Sequence, residues 1–261
     1  SRIHKTKLAL LMERKIHSLD DVPEDFKLSD NQWNQVHAHK KQEPAIDIEK
    51  IKEELDALVF PLYFFDYEAF GLAIPIFDGY SPYKRIPFQF SLHVLADPTA
   101  ELKHEEYLHE ERTDPTEVVA KLLKKYIQPG GTVIAWHKSF EAGVNKEIGE
   151  RSPVYASFFE QVNGSLYDLK DIFQDQHYVH PGFRGSASLK KVLPAVVPDV
   201  RYDGLEIQEG GAAADAWWKM ISPATGAKEA KKIAEDLKKY CGVDTYAMYA
   251  IWKHLREVVE S

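Results

Sequence analysis

The 261-residue sequence contains one cysteine, Cys241, and no apolar run that approaches the ~18 residues needed to cross a bilayer. One cysteine excludes an internal disulfide and a zinc site built from several thiolates, and it favours a reducing compartment. The polar N-terminus also lacks the apolar segment and the cleavage site of a signal peptide. We therefore predict a cytoplasmic protein with no membrane partner.

A surplus of basic residues is missing too, because 33 Lys and Arg stand against 41 Asp and Glu, for a net charge of −8. This balance argues against a protein that coats nucleic acid non-specifically, since such binding depends on neutralising phosphates. It is compatible with an enzyme that binds one strand end in a local groove. An acidic surplus also suits a site for divalent cations.

Residues 1–58 are polar and follow a helical pattern that two prolines interrupt. Ser29 and Asp47 precede two of the helical segments, and their side chains are favoured at helix N-caps. We predict a helical appendage or linker over residues 1–58, followed by a second domain over residues 59–261.

The second domain begins with three predicted strands and then alternates helices with shorter strands. In chain order, the predicted elements are the strands LYFFDYEAF (62–70), FQFSLHVLA (88–96) and LKHEEYLHE (102–110), a helix starting at Asp114 and Pro115, the strand TVIAW (132–136), a helix starting near Ser139, a short strand or turn in SLYDLKDIF (165–173), and helices from Ser188 to Glu260. This order predicts an α/β fold with a mixed sheet and helices on both faces. It is also the element order of the ribonuclease H-like fold, although order alone says little about function.

The first predicted strand contains two acids, Asp66 and Glu68, in an otherwise apolar and aromatic run. Because residues i and i+2 of a strand point to one face, the two carboxylates project together. They repel each other unless a cation lies between them, and a set of oxygen ligands favours Mg²⁺ or Mn²⁺. The alternative is a strand end at which both acids are solvated or paired with Lys or Arg. Taken alone, the motif favours that alternative.

Two further motifs contain acids. Glu141 falls in the first turn of the helix that follows TVIAW, where Ser139 is the predicted N-cap and the helix dipole stabilises an anion. Tyr240 and Asp244 are four residues apart and share a face if one helix continues through Gly242. Each motif also has a purely structural explanation: the dipole for Glu141, and a core tyrosine with a solvated aspartate for the other pair.

Together, the three motifs resemble the DEDD exonuclease superfamily, in the subgroup whose third motif contains Tyr instead of His. Longer strings resemble a bacterial family within it, the domain of unknown function 2779 family, over roughly residues 60–255. These strings are YFFDYEAF, IPFQFSLHVL, SFEAGV, GSASLKKVLPAVVPDVRYDGLEIQEGGAA and YCGVDTYAM. The segment SLDDVPEDFKLSDNQWNQVHAHKKQEPAID resembles the linker that precedes this domain in longer proteins with an upstream RecB-like nuclease module. We therefore expect such a module as a partner in the same polypeptide.

The resemblance implies a site for two ions of Mg²⁺ or Mn²⁺. Asp66, Glu68 and Asp244 would bind the first ion, and Asp66 would also bind the second. Glu141 occupies the position where the superfamily usually has Asp, and its extra methylene changes its reach. Tyr240 would orient or help to deprotonate the water that attacks the terminal phosphodiester.

We also predict four substrate contacts, at Tyr67, Phe70, His137 and Lys190. Further aromatic residues such as Trp218 are candidates for stacking on bases, although most aromatic residues in a domain of this size belong to the core. Asp168 is interpreted as a turn or capping acid.

The leading hypothesis is a metal-dependent 3′–5′ exonuclease that hydrolyses terminal phosphodiesters of single-stranded DNA or RNA by a two-metal-ion mechanism. An endonuclease using the same carboxylates is the nearest alternative. A third hypothesis is not enzymatic: a weak or inactive module that binds nucleic acid or a partner within a larger nuclease. The Glu141 departure and the acidic net charge both allow it.

Overall fold

The computed structural model describes residues 3–202, 204, 206, 207 and 210–261. Its helices are α1 Lys5–Glu13, α2 Asp30–Lys41, α3 Ile48–Asp56, α4 Thr116–Tyr126, α5 Lys138–Arg151, α6 Ala156–Gly164, α7 Asp171–Gln174, α8 Leu189–Val196, α9 Gly210–Met220 and α10 Ala227–Glu260. Its strands are β1 Ala45–Ile46, β2 Leu62–Phe70, β3 Ile86–Leu95, β4 Lys103–Leu108, β5 Thr132–Ala135, β6 Leu166–Asp168 and β7 Tyr178–Val179. Among the helices described, none has both the length and the apolar character that a bilayer-spanning helix needs.

The chain divides into two compact units. The first unit comprises Ser1–Ala57, Leu169–Arg201 and Ile251–Ser261. Two of its predicted N-caps are confirmed: Ser29 and Asp47 precede α2 and α3, and the Asp47 carboxylate accepts the Lys50 N–H at 3.1 Å. The N-terminal segment is therefore helical, as its periodicity predicts.

The first unit also includes two segments that the sequence assigns to the second domain. Strands β1 and β7 pair antiparallel, with Ala45 opposite Val179 and Ile46 opposite Tyr178. This pairing joins segments that are far apart in the sequence, and local periodicity does not reveal it. The N-terminal helices thus belong to a unit built from three parts of the chain.

The second unit comprises Leu58–Asp168 and Tyr202–Ala250 and contains a five-stranded sheet. The strand order is β4-β3-β2-β5-β6. Strand β3 pairs antiparallel with both β4 and β2, whereas β5 pairs parallel with β2 and with β6. The predicted α/β fold with a mixed sheet is confirmed. Strand β2 lies at the centre, where both faces are covered, and this explains its nearly continuous apolar sequence.

The two faces of β2 pack against different helices. Phe65 and Tyr67 belong to a core that includes side chains from α4, α5 and α6. A second core, around Phe88, Trp217 and Leu237, brings α9 and α10 together with β3. Helices therefore flank the sheet on both sides, and the even-numbered side chains of β2 project to the face opposite Phe65 and Tyr67.

Gly131 lies where the start of β5 approaches the chain just before β2. A Cβ added at Gly131 would lie 2.2 Å from the carbonyl oxygen of Pro61 and 2.7 Å from the Tyr63 ring. We expect Gly131→Ala to lower the free energy of unfolding by about 1–3 kcal/mol, because overpacked sites force backbone shifts of this cost. Urea unfolding measures this loss. Gly164→Ala is the matched control, since nothing lies within 4 Å of its added Cβ; equal losses in both variants would contradict the steric explanation.

Candidate metal centre

Strand β2 positions the two acids of the D-x-E motif. In its pairing with β3, Asp66 lies opposite Ser91 and Glu68 lies opposite Gln89. The register shifts directly after Glu68, between Glu68 and Ala69. Irregularities of this kind are common next to functional sites, where they change the direction of a side chain.

Helix α10 supplies the third carboxylate. One ligand oxygen from each of Asp66, Glu68 and Asp244 can be chosen so that all three lie within 4.8 Å of one another. Glu68 and Asp244 are only 6% and 9% exposed. Three hard oxygen donors at this separation, held by a strand and a helix, form a site that fits Mg²⁺ or Mn²⁺.

The electrostatics of Asp66 agree with a cation site. Burial raises the pKa of Asp66 well above its ordinary value, and the neighbouring carboxylates of Asp244, Glu68 and Glu141 raise it further. The Cys241 thiol, 3.7 Å from Asp66 Oδ2, opposes this shift only weakly. The protein alone therefore leaves the negative charges poorly compensated, and a divalent cation would compensate them.

Glu141 lies in the first turn of α5, as predicted, and is 3% exposed. Its Oε2 atom is buried and has no hydrogen-bond partner. Burial raises the pKa of Glu141 to about 8; the backbone amide lowers it, the Asp168 carboxylate raises it and Arg85 lowers it. Glu141 is not one of the three residues whose oxygens converge. Its ligation of a second ion stays a prediction, and its unpartnered oxygen fits such a role.

The N-terminus of α5 is capped differently from the prediction. Helix α5 begins at Lys138, so Ser139 lies inside it, and the Lys138 N–H donates to Asp168 Oδ2 at 2.9 Å. Asp168 ends β6, opposite Ala135 of β5 in the parallel register. Asp168 thus caps α5, and not a helix of its own segment, and its buried carboxylate raises the pKa of Glu141.

Two tyrosines adjoin the carboxylates. Helix α10 continues through Gly242, so Tyr240 and Asp244 share one face, one turn apart. Burial and the carboxylates, Asp244 first, raise the pKa of Tyr240 well above its ordinary value. The second is Tyr202, whose hydroxyl donates to Asp244 Oδ1. Sequence reasoning missed Tyr202 because it lies 42 residues before Asp244 in an irregular segment, where no spacing rule links the two.

Two of the predicted substrate contacts lie on β2. Tyr67 is 3% exposed on the face opposite the carboxylates, and its hydroxyl donates to Asn145 Oδ1 at 2.8 Å. This placement corrects the prediction, because Tyr67 joins β2 to α5 inside the core instead of facing a cleft. Phe70 stacks on Trp217 with ring centroids 4.8 Å apart. It also lines a cavity beside Glu68.

The other two predicted contacts are exposed. His137 precedes α5 and has a φ angle of 148°, a backbone conformation that side-chain-bearing residues rarely adopt. Lys190 lies on α8, in the first unit. Substrate contact by either residue stays a prediction.

The cavity beside Glu68 has a volume of about 530 Å³. Its lining includes Glu68, Phe70, Phe140, Gly210, Gly211 and Trp218. The walls thus combine aromatic rings, a candidate metal ligand and the first residues of α9, where no side chain covers the backbone. Aromatic faces next to a candidate metal centre suit a planar group attached to a phosphate.

The middle of the chain, residues 63–188, matches the family model described as Domain of unknown function (DUF2779). The match supports the predicted resemblance to that family. It includes Asp66, Glu68 and Glu141 and ends before Tyr240 and Asp244.

The chain is also similar to two curated proteins. The "Uncharacterized protein MG366" of Mycoplasma genitalium is 25% identical over 232 residues, which cover 81% of this chain and 34% of that protein. The "Uncharacterized protein MG366 homolog" of Mycoplasma pneumoniae is 25% identical over 253 residues, covering 88% and 38%. This chain therefore spans just over a third of the length of these relatives. No solved structure matches it.

Proposed function

We propose that this chain is a metal-dependent nuclease that removes nucleotides from the 3′ end of single-stranded DNA or RNA. The observation that carries the proposal is the convergence of Asp66, Glu68 and Asp244, whose ligand oxygens lie within 4.8 Å of one another. Buried carboxylates in this number are costly without a cation, and oxygen-rich sites for Mg²⁺ or Mn²⁺ commonly serve phosphoryl chemistry.

The topology supports assignment to the ribonuclease H-like fold and to the DEDD superfamily within it. The sheet has three antiparallel strands followed by two parallel ones, and α4 and α5 precede the parallel strands β5 and β6. This is the element order expected for that fold. The carboxylates come from the central strand and from a late helix, in keeping with the first and third motifs of the superfamily.

Each residue of the site would have a distinct role in the reaction. Asp66, Glu68 and Asp244 would hold one divalent ion, and Asp66 with Glu141 would hold a second. When bound, such ions stabilise the attacking and leaving oxygens of a phosphodiester. Tyr240 would orient the water whose oxygen forms the new bond to the phosphorus of the terminal nucleotide, while the bond from that phosphorus to O3′ of the penultimate nucleotide breaks. The leaving oxygen takes up a proton, so the products are a nucleoside 5′-monophosphate and a shortened strand.

The cavity beside Glu68 supports a strand end as the substrate. A terminal base would stack on the rings of Phe70, Phe140 and Trp218. Loss of such a ring lowers the affinity by about 1–3 kcal/mol per base. The net charge of −8 disfavours non-specific binding of long duplex tracts. We further propose a cytoplasmic enzyme in which this chain acts together with an upstream RecB-like nuclease module of the same polypeptide.

The direct test uses a linear single-stranded oligonucleotide labelled at its 5′ end. We expect Mn²⁺ or Mg²⁺ to support its stepwise shortening, and Asp244→Ala to abolish the reaction because it removes one of three ligands. Asp236→Ala, on the same helix and outside the three-carboxylate group, is the matched control and should retain full activity. Full activity of Asp244→Ala would refute the proposal.

The same assay separates the alternatives. Cleavage of a circular single strand would indicate an endonuclease that uses the same carboxylates, because an exonuclease needs an end. Binding of the oligonucleotide without shortening, at millimolar Mn²⁺, would indicate an inactive binding module. The unusual Glu141 is the residue that favours this last outcome.

A further inference from the structure

We propose that Tyr202 is a positioning residue of the metal centre, whose hydroxyl holds the Asp244 carboxylate in the orientation that a divalent cation requires. This inference rests on the metal centre proposed above. It concerns a residue outside the three acidic motifs, in the segment between α8 and α9.

The contact itself is the first part of the argument. The Tyr202 hydroxyl donates a hydrogen bond to Asp244 Oδ1. A carboxylate has two oxygens with about four lone-pair positions, so a donor on Oδ1 is compatible with a cation at the same carboxylate. Hydrogen bonds of this kind orient metal-ligating carboxylates.

The place of Tyr202 in the fold makes it a fixed donor. Its ring is partly buried and packs against the core that contains Trp217 and Tyr240. The ring is therefore held by apolar contacts, and the hydroxyl at its end is directed at one carboxylate. A donor fixed in this way orders the carboxylate before metal binds, which lowers the cost of ordering it later.

Asp244 needs such a contact more than the other two ligands do. Asp66 and Glu68 lie on the central strand of the sheet, where pairing with β3 fixes their direction. Asp244 comes instead from α10, and its side chain must meet the other two across the interface between helix and sheet. Tyr202 supplies the restraint that strand pairing supplies to the others.

The test is Tyr202→Phe, which keeps the ring and removes only the donor. The matched control is Tyr80→Phe, because the Tyr80 hydroxyl also donates to a carboxylate, Asp114, at 3.0 Å, outside the metal centre. Mn²⁺ binding is measured by titration calorimetry, and thermal unfolding is measured in EDTA and over a series of Mn²⁺ concentrations.

We expect the Mn²⁺ dissociation constant of Tyr202→Phe to rise about 10-fold or more, as for other outer-shell contacts, with no change in Tyr80→Phe. At saturating Mn²⁺, the thermal stabilisation of Tyr202→Phe by the metal should equal that of the wild type. A variant that failed to fold would show no such stabilisation. If Tyr202→Phe binds Mn²⁺ with wild-type affinity while Asp244→Asn no longer binds it, the proposed role of Tyr202 is wrong and the metal centre stands. Absence of Mn²⁺ binding by the wild type would overturn the metal centre and this role with it.

Discussion

Replacing Asp66 with asparagine is expected to abolish metal-dependent shortening of an oligonucleotide and, without metal, to stabilise the folded protein. Activity should fall by at least about 10²–10³-fold, the loss typical of removing one preorganised electrostatic group. Stability should rise because burial and three neighbouring carboxylates raise the pKa of Asp66. A carboxyl whose pKa is raised on folding contributes stability at low pH that is lost as pH rises through the folded value. At neutral pH the charge is therefore a cost, which the neutral amide removes.

The measurement is urea unfolding in EDTA at pH 7, alongside the labelled-strand assay in Mn²⁺. Asp114→Asn is the contrasting control, because that carboxylate accepts from the Thr116 N–H and from Tyr80. Its loss should lower stability and leave the chemistry intact. A destabilised but active Asp66→Asn protein would show that the carboxylate cluster is structural.

Glu141→Gln is expected to stabilise the metal-free protein by an amount that depends on pH. Burial raises the pKa of Glu141 from an ordinary 4.5 to about 8. The stability that protonated Glu141 contributes is full below about pH 4.5 and is lost progressively as pH rises towards 8. At about 1.4 kcal/mol per pKa unit, the cost at pH 7 is on the order of 3 kcal/mol. Glu141→Gln should recover most of this amount at pH 7 and almost none at pH 4.5.

Urea unfolding in EDTA across pH 4.5–8.5 measures this difference. Glu147→Gln is the matched control on the same helix, because Glu147 forms an ion pair with Arg85 at 2.8 Å. Neutralising Glu147 should lower the free energy of unfolding of the protein. A gain for Glu141→Gln that is the same at every pH would contradict the electrostatic explanation. Mn²⁺ should stabilise the wild type more than Glu141→Gln if Glu141 binds a second ion.

The sequence predicts the elements of the second unit well where the apolar pattern is strong. Strand β2 has the predicted bounds because its run is apolar on both faces and ends at Gly71. The sequence alone leaves open whether one helix continues through Gly242, since a glycine costs ~1 kcal/mol in a helix interior. The helix continues because buried neighbours of Gly242, such as Cys241 and Thr245, outweigh that cost.

The candidate site is only partly predictable. The pairing of Asp66 and Glu68 follows from strand geometry, whereas the approach of Asp244 follows only from the family resemblance, because no local rule brings a late helix to the first strand. The contact between Tyr202 and Asp244 depends on the path of an irregular segment, which composition does not determine. Asp168 is a similar case: its own segment suggests a turn or capping acid, but its bond to the Lys138 N–H and its effect on Glu141 both depend on the parallel register of β5 and β6.

Because the two faces of β2 have separate roles, substitutions in this strand and shifts of its register have different consequences. Phe65 and Tyr67 fill one core while Asp66 and Glu68 reach the other side. Sliding the strand by one residue would place two aromatic rings at the candidate cation site and two carboxylates in the apolar core. Conservative replacements within β2 therefore cost far less than inserting or deleting a single residue. The spacing of this strand, more than its composition, carries the information that the site needs.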